Sequence, residues 1–182
     1  MNNCSKEYYY GKKCQPVLSL EEQKIIVKWI DQNYKLLDNN GYNKYNIKLS
    51  LLKNKVEIPD CIYKIKERIV EMENLYGFQQ EPLFEDSIGY MTDGGQLHKH
   101  TDPNVNNLVH TRFNVYVQLP SEGGYPIYGN NLYKLKERTY ICCRAGIDYH
   151  ECQQVKGDRA RIVLSFGFLL PLDRVSKIIY DY

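Results

Sequence analysis

The four histidines of this 182-residue chain, His98, His100, His110 and His150, are the residues best suited to metal chemistry. His100 and Asp102 are two positions apart, so on an extended segment their side chains point the same way and can reach one ion. The segment 103–149 is long enough for several strands to return His150 to this pair. Two histidines and one carboxylate on one face of an ion leave three coordination positions open, as at a non-haem Fe(II) centre. Open positions indicate catalysis rather than a structural metal.

His98 and His110 have other interpretations. His98 shares a face with His100, and this pair would suit a cupin-like metal site. Such a site also needs a nearby glutamate and a Pro-x-Gly before the distal histidine, and the sequence has neither. We therefore expect His98 at the rim of the site. His110 follows the loop Pro103–Asn107 and is expected to be exposed, or to enter a substrate groove.

Composition and charge exclude several classes of protein. The hydrophobic content of 43% is that of a globular chain, and the net charge of +2 creates no strong field for nucleic acid or an anionic membrane. No run approaches the about 20 apolar residues of a membrane span, and the N-terminus lacks the apolar core of a signal peptide. We expect a soluble, cytoplasmic protein. Its six cysteines form no Cys-x-x-Cys pair, so free thiols are expected rather than a zinc site.

The secondary structure that must position these residues changes along the chain from predicted helices to predicted strands. A capping box at Ser19–Glu22 and apolar residues at helical spacing predict a helix over Leu20–Leu37. Pro59 opens a second predicted helix that stops at Gly77. After Phe84, short β-type segments alternate with Gly, Pro and Asn clusters. The predicted strands are Phe84–Met91, Gln96–His100, Arg112–Leu119, Tyr125–Tyr128, Leu132–Leu135, Tyr140–Arg144, Glu151–Val155 and Arg159–Leu170.

This order predicts an α+β protein with an antiparallel sandwich or barrel, in one domain spanning residues 1–182. Within it, residues 1–18 form an arm rich in tyrosine, residues 19–77 supporting helices, and residues 84–170 a β core. The remaining tyrosines of the β region, Tyr128 among them, are assigned to sheet packing.

Two segments of the β region resemble a known superfamily. The stretch GGQLHKHTD from Gly94 to Asp102 resembles the Gly-Gly-Gln-Tyr-x-x-His-x-Asp stretch of prolyl 4-hydroxylases, and Tyr90 lies near that family's preceding tyrosine. The stretch from His150 to Phe166 is similar to the distal histidine and basic strand of Fe(II)/2-oxoglutarate (2OG)-dependent dioxygenases.

The resemblance spans about residues 84–170 and implies a double-stranded β-helix, the jelly roll or cupin-like barrel, with N-terminal supporting helices. It implies that His100, Asp102 and His150 bind Fe(II). It further implies that 2OG and O2 are cosubstrates, with ascorbate as an optional reductant.

The cosubstrate would also need a cation for its 5-carboxylate, which a guanidinium can meet with two parallel hydrogen bonds. Six of the seven arginines lie at Arg112 or later. Arg159 follows Gly157 at a spacing found in some protein hydroxylases, whereas Arg161 has a hydroxyl residue, Ser165, four positions later. We favour Arg161. The other arginine would close a rim salt bridge or contact substrate.

A polar face on one predicted strand supplies further candidates for contact with 2OG. The alternation places four polar residues on one side, namely Arg112, Asn114, Tyr116 and Gln118. Inside a barrel this face would line the pocket, and Asn114 or Tyr116 would donate to 2OG. Exposure of the same face to solvent is an equal alternative. Tyr90, on the preceding strand, is another candidate.

The resemblance implies hydroxylation of a C–H bond, with release of succinate and CO2. A peptidyl residue, prolyl or lysyl, is the favoured substrate, so a protein or peptide partner is favoured over nucleic acid. No membrane partner is expected, and the sequence leaves the oligomeric state open.

One alternative is oxidative demethylation of alkylated nucleic-acid bases, because the strand from Arg161 to Phe166 is also similar to the strand of those demethylases. Their second arginine, six residues on, is Gly167 here. Another alternative is a non-catalytic metal-binding jelly-roll module.

Overall fold

A computed structural model describes residues 16–39, 41 and 43–180 of the chain. The tyrosine-rich arm therefore lies almost entirely outside the described residues. The helices are α1 (Leu20–Asn33), α2 (Leu49–Leu52), α3 (Asp60–Met72) and α4 (Leu172–Tyr180). In the part of the chain described here, no helix has both the length and the apolar character needed to cross a membrane.

Both predicted helices form, and each ends earlier than the periodicity suggests. The Ser19 hydroxyl accepts from the Glu22 amide at 3.1 Å, and the Glu22 carboxylate accepts from the Ser19 amide at 2.8 Å, so the capping box starts α1. The Asn33 side chain donates to the Trp29 carbonyl at 2.8 Å, which favours leaving the helix there, and a 3-10 turn replaces the predicted end at Leu37. Asn74, at φ 50°, stops α3 before Gly77.

Among the described residues, twelve strands follow the first helix. They are β1 (Asp38–Asn39), β2 (Lys44–Lys48), β3 (Ser87–Met91), β4 (Leu97–His100), β5 (Val109–Gln118), β6 (Glu122–Gly123), β7 (Pro126–Tyr128), β8 (Asn131–Leu132), β9 (Tyr140–Cys143), β10 (His150–Cys152), β11 (Val155–Lys156) and β12 (Arg161–Leu170). They form a six-stranded sheet in the order β1-β2-β3-β12-β5-β9, a four-stranded sheet β4-β10-β7-β8 and a pair β11-β6. All strand pairs are antiparallel. The expected α+β class with antiparallel sheets is therefore confirmed.

The main difference from the predicted strands lies before Phe84. The lysine-rich connection between the first two helices contains β2, which pairs with β3 along its whole length. Ile47 of β2 is buried in the core, and Tyr45 packs edge-on against Tyr90. The predicted strand Glu151–Val155 is divided into β10 and β11, and α4 was not predicted.

The main hydrophobic core lies between the helices and one face of the six-stranded sheet. Ile30 of α1 and Ile65 of α3 are fully buried together with Phe113 of β5 and Leu164 of β12. Because side chains alternate across a strand, the intervening residues of β5 and β12 point to the opposite face. That opposite face lines the cavity described next.

Candidate metal centre

Strand pairing brings the three predicted metal ligands together. His100 ends β4 and His150 begins β10, and the two residues are directly opposite in the antiparallel pair. Their ring centroids are 4.1 Å apart. The Asp102 amide donates to the Ala145 carbonyl at 2.7 Å, which turns the chain after β4 back toward the histidines. One ligand atom from each of His100, Asp102 and His150 lies within 4.8 Å of the others.

The backbone orients both imidazoles. Nδ1 of His100 lies 2.7 Å from the His98 carbonyl, and Nδ1 of His150 lies 3.2 Å from the Asp148 carbonyl. Because a carbonyl oxygen only accepts, each Nδ1 carries a hydrogen, and in the neutral imidazole each Nε2 therefore keeps its lone pair. The Nε2 atoms lie 3.5 Å and 4.0 Å from the two oxygens of Asp102. This is the arrangement a transition metal requires of two histidines and a carboxylate.

The electrostatics of the triad differ from residue to residue. The hydrogen bond with Asp102 raises the pKa of His100. Burial, together with the charge of His100, lowers the pKa of His150 and favours its neutral form. Burial alone would raise the pKa of Asp102, but the surrounding histidines lower it overall. The site therefore offers a neutral imidazole and a carboxylate at neutral pH.

The triad opens into a cavity of about 190 Å³ that also contains Arg161. The Arg161 side chain is buried, with the residue 7% exposed. Its Nε donates to the Gly124 carbonyl at 2.8 Å and one terminal nitrogen lies 3.4 Å from the Tyr116 hydroxyl. Among the described residues, no carboxylate forms an ion pair with it. A buried guanidinium without an acidic partner is costly unless an anionic ligand binds it.

Arg159 lies outside this cavity. β12 begins only at Arg161, so the alternation that would place both arginines on one face does not extend back to Arg159. The Arg159 guanidinium donates to the Leu119 carbonyl at 2.9 Å and pairs with Glu137 at 2.5 Å, beside α1. It thus forms the salt bridge that we expected of the arginine not facing the cavity.

The polar face of β5 lines the cavity over most of its length. Asn114 and Tyr116 both face it, and burial raises the pKa of Tyr116 to about 12, so its hydroxyl keeps its proton. Gln118, at the end of the strand, instead donates to the Ala160 carbonyl at 2.9 Å. The alternative of a solvent-exposed face is wrong, because residues of β4, β7 and β10 line the same cavity and Arg112 and Tyr116 are buried.

Tyr90 does not reach the cavity. It lies on the opposite face of β3 and stacks on Tyr34 with ring centroids 5.2 Å apart. The expectation that Tyr90 contacts the cosubstrate is therefore corrected. Within β3, the residues that line the cavity are Ser87 and Gly89, which alternate with it.

Arg112 also borders the cavity, but its guanidinium already has hydrogen-bond and ion-pair partners within the protein. Its guanidinium pairs with Glu81 at 2.7 Å and donates to the Ser165 hydroxyl at 2.7 Å and the Glu85 carbonyl at 2.8 Å. Gly167, the position of the second arginine in the demethylases, lies opposite Arg112 in the sheet. A Cβ there would lie 2.4 Å from Cγ of Glu81, so the Glu81–Arg112 pair fills the space that glycine leaves.

His98 and His110 have different environments. His98 is exposed and is not part of the metal-binding group. His110 is only 1% exposed, because β5 begins at Val109 and includes it, so the expectation of an exposed residue is corrected. Its Nε2 lies 3.7 Å from Asp102, and its ring stacks on Phe84.

Several cavity residues were missed from the sequence, among them Lys44, Asn46 and Tyr128. Lys44 and Asn46 lie on the unpredicted strand β2, although the alternation of polar residues with Tyr45 and Ile47 is a strand signal. Tyr128, assigned to packing, lines the cavity and accepts a hydrogen bond from Asn114 at 3.2 Å. Nothing in its local sequence distinguishes it from the other tyrosines.

Comparisons with known proteins give the fold. No family profile matches the sequence, and no curated protein matches it. A solved structure of viral collagen prolyl hydroxylase vCPH from Paramecium Bursaria Chlorella virus-1, in complex with 2OG, is 15% identical with a TM-score of 0.61. That alignment covers 87% of this chain and 93% of that one.

A Pseudomonas putida prolyl-4-hydroxylase is 11% identical with a TM-score of 0.56, over 86% of this chain and 89% of that one. At these identities the comparison establishes the fold. The chain has the fold of the prolyl 4-hydroxylases, as the resemblance of the Gly94–Asp102 segment implied.

Proposed function

We propose that this chain is an Fe(II)- and 2OG-dependent oxygenase that hydroxylates a C–H bond of a peptidyl residue, prolyl or lysyl. The observation that carries the proposal is the coexistence, in one cavity, of the triad and a buried arginine without an acidic partner. The triad alone would suit many metals. The arginine adds a binding place for a carboxylate. 2OG has such a carboxylate at the end opposite the one that chelates the metal.

The donor set fits iron. Two imidazole nitrogens and one carboxylate oxygen converge on a point, and their arrangement leaves the remaining positions open to ligands. When bound, iron with 2OG and O2 supplies the oxidising chemistry, giving the hydroxylated product, succinate and CO2, with ascorbate as an optional reductant.

The chain's own residues bind and orient. His100 and His150 present lone pairs, held by the carbonyl contacts at Nδ1, and Asp102 supplies the negative charge. The Gly124 carbonyl and the Tyr116 hydroxyl hold the Arg161 guanidinium in place for a carboxylate. Burial of Arg161 and Tyr116 keeps water from competing for the same hydrogen bonds.

We also propose an architecture for the strands and helices around the cavity. The cavity lies between the six-stranded and four-stranded antiparallel sheets, and this supports a double-stranded β-helix in which the triad lies at one open end. α1 and α3 support the outer face of the larger sheet. We propose that residues 1–182 form one domain of this kind.

The peptide substrate is supported by the two neighbours, one described as a collagen prolyl hydroxylase and the other as a prolyl-4-hydroxylase. Demethylation of nucleic-acid bases has less support. The position of the second arginine of the demethylases is Gly167, and the arginine opposite it, Arg112, is already paired with Glu81.

The test is anaerobic addition of Fe(II) and 2OG to the purified protein, followed by visible absorption. We expect the weak charge-transfer band of a metal-bound 2-oxoacid, and its loss in His100→Ala and His150→Ala. His98→Ala is the matched control, because this histidine lies two residues from His100 but outside the triad. Folded protein without a band, or a band that survives both substitutions, would contradict the proposal.

Substrate class is then tested by succinate release in air with panels of prolyl peptides, lysyl peptides and alkylated bases. Release that depends on a peptide supports the proposal. Release only with alkylated bases would replace it with the demethylase function.

A further inference from the structure

Lys44 lies in the same row of the large sheet as Arg161. Lys44 of β2 is opposite Met91 of β3, and Met91 is opposite Arg161 of β12. Residues opposite one another in neighbouring strands point to the same face, and strands are about 4.8 Å apart. The Cα atoms of the two cations are therefore about 10 Å apart, and both side chains line the cavity that contains the triad.

The Arg161 guanidinium has N–H donors that no strong acceptor among the described residues occupies. Of its five N–H groups, the one on Nε and one on a terminal nitrogen are occupied by Gly124 and Tyr116. The other terminal nitrogen faces only the Met91 sulfur, at 3.9 Å, which is a weak acceptor. Met91 is the residue between the two cations in the sheet, so this terminal nitrogen contacts the residue that separates Arg161 from Lys44.

In this cavity, the negative charge of Asp102 only partly offsets the effects of burial and of Arg161 on the pKa of Lys44. Two carboxylates line it, Asp102 and Glu151, and neither forms an ion pair with Lys44 or Arg161 in the described structure. Burial, followed by the positive charge of Arg161, lowers the pKa of Lys44. Two like charges removed from water repel each other, and an anion between them would remove that cost.

We propose that Lys44 and Arg161 together bind one carboxylate, the 2OG carboxylate distal from the metal, with Lys44 as the second cation of the site. This inference rests on the proposed function. It adds to it a binding residue from β2, a strand that lies outside residues 84–170, the segment whose sequence resembles known oxygenases. In this arrangement Arg161 supplies the directional hydrogen bonds, and Lys44 supplies a point charge on a flexible stem.

The test measures ligand binding directly, by anaerobic calorimetry on Fe(II)-loaded protein. Two ligands are compared, 2OG and 2-oxopentanoate, which has the same chelating end but lacks the distal carboxylate. Lys44→Met keeps the aliphatic stem and removes the charge. We expect it to weaken 2OG binding about ten- to hundredfold, the range for a hydrogen bond to a charged group, and to leave 2-oxopentanoate binding within about twofold.

Lys48→Met is the matched control. Lys48 lies on the same face of the same strand, four residues after Lys44. It pairs with Glu85 at 3.4 Å and does not line the cavity. It should bind both ligands as the unmodified protein does, and Lys44→Arg should recover most of the 2OG affinity. The effects of Lys44→Met and Arg161→Met should also fail to add, because both residues would act on one carboxylate.

The outcomes separate this inference from the proposed function. Unchanged 2OG affinity in Lys44→Met, with tight binding by the unmodified protein, overturns the role of Lys44 alone. Equal losses for both ligands also overturn it, because Lys44 would then act at the metal end or on the fold. If the unmodified protein binds no 2OG at all, the proposed function fails and the role of Lys44 fails with it.

Discussion

Two buried arginines border the cavity, and their partners assign them different roles. Arg112 is satisfied by Glu81, Ser165 and the Glu85 carbonyl, so it stabilises the wall of the cavity. Arg161 has a carbonyl and a tyrosine hydroxyl, and no acid among the described residues. A charge that the protein itself leaves unpaired is available for a ligand, and this distinguishes a binding arginine from a structural one.

This contrast predicts different effects for the two arginines that the sequence left as candidates. Arg161→Met should weaken 2OG binding about a hundredfold, because it removes a pair of charge-assisted hydrogen bonds. Arg159→Met should leave the affinity unchanged, because Arg159 pairs with Glu137 outside the cavity. Calorimetry on the two variants side by side measures this, and equal small losses would mean that neither arginine holds the carboxylate.

At the level of elements, α1 and α3 are joined by one carboxylate with two roles. Glu22 closes the capping box of α1 and also pairs with Arg68 of α3, with oxygen–nitrogen distances of 2.6 and 2.8 Å. Arg68 also donates to the Val17 carbonyl at 3.0 Å, so the chain before α1 is held at the same point. The helix pair that supports the large sheet therefore depends on the ionised state of Glu22.

The pH dependence of stability follows from this pairing. The hydrogen bond from Arg68 lowers the pKa of Glu22 from 4.5 to about 2. A depressed pKa in the folded state means that its stabilising contribution is complete above about pH 4.5 and is lost as the pH falls toward 2. The free energy of unfolding, from urea titrations between pH 7 and pH 2, should decrease less steeply over this range in Glu22→Gln.

Glu21→Gln is the control for this experiment, since Glu21 is the exposed neighbour in the same helical turn. It should retain the acid dependence of the unmodified protein. Identical pH profiles for Glu22→Gln and the unmodified protein would show that the Arg68 pairing contributes no measurable stability.

At the scale of the whole molecule, the triad joins two segments that are distant in sequence. His100 and Asp102 come from β4 and the turn after it, whereas His150 comes from β10. A metal that binds all three requires the four-stranded sheet to be folded, so it binds the native state and not the unfolded chain. Metal binding should therefore stabilise the protein as a whole.

At a free metal concentration about 100 times the dissociation constant, linkage adds about 2.7 kcal/mol to the free energy of unfolding. For a chain of this size, that corresponds to a rise in Tm of roughly 5–10 °C. Anaerobic thermal unfolding with and without Fe(II) measures it. Asp102→Ala should abolish the rise, and an equal rise in that variant would place the stabilising metal elsewhere.

Much of the fold follows from patterns within single segments. The capping box at Ser19, the helical spacing of the isoleucines and the alternation in β5 each depend on residues a few positions apart, and each element forms. Ends of elements were harder to predict. Asn33 and Asn74 end the two helices through a side-chain hydrogen bond and a left-handed backbone, and a hydrophobic pattern detects neither.

The sequence by itself indicated the pair His100 and Asp102 and the polar face of β5, because a two-residue spacing places side chains together on any extended strand. Its resemblance to a known superfamily indicated His150 as the third ligand. Only the tertiary structure decided which arginine faces the cavity, that Tyr90 points away from it and that Lys44 points into it. These outcomes depend on where β12 begins and on the pairing of β2 with β3, two segments about 40 residues apart. Register between distant strands is set by packing of the whole core, so no single segment encodes it.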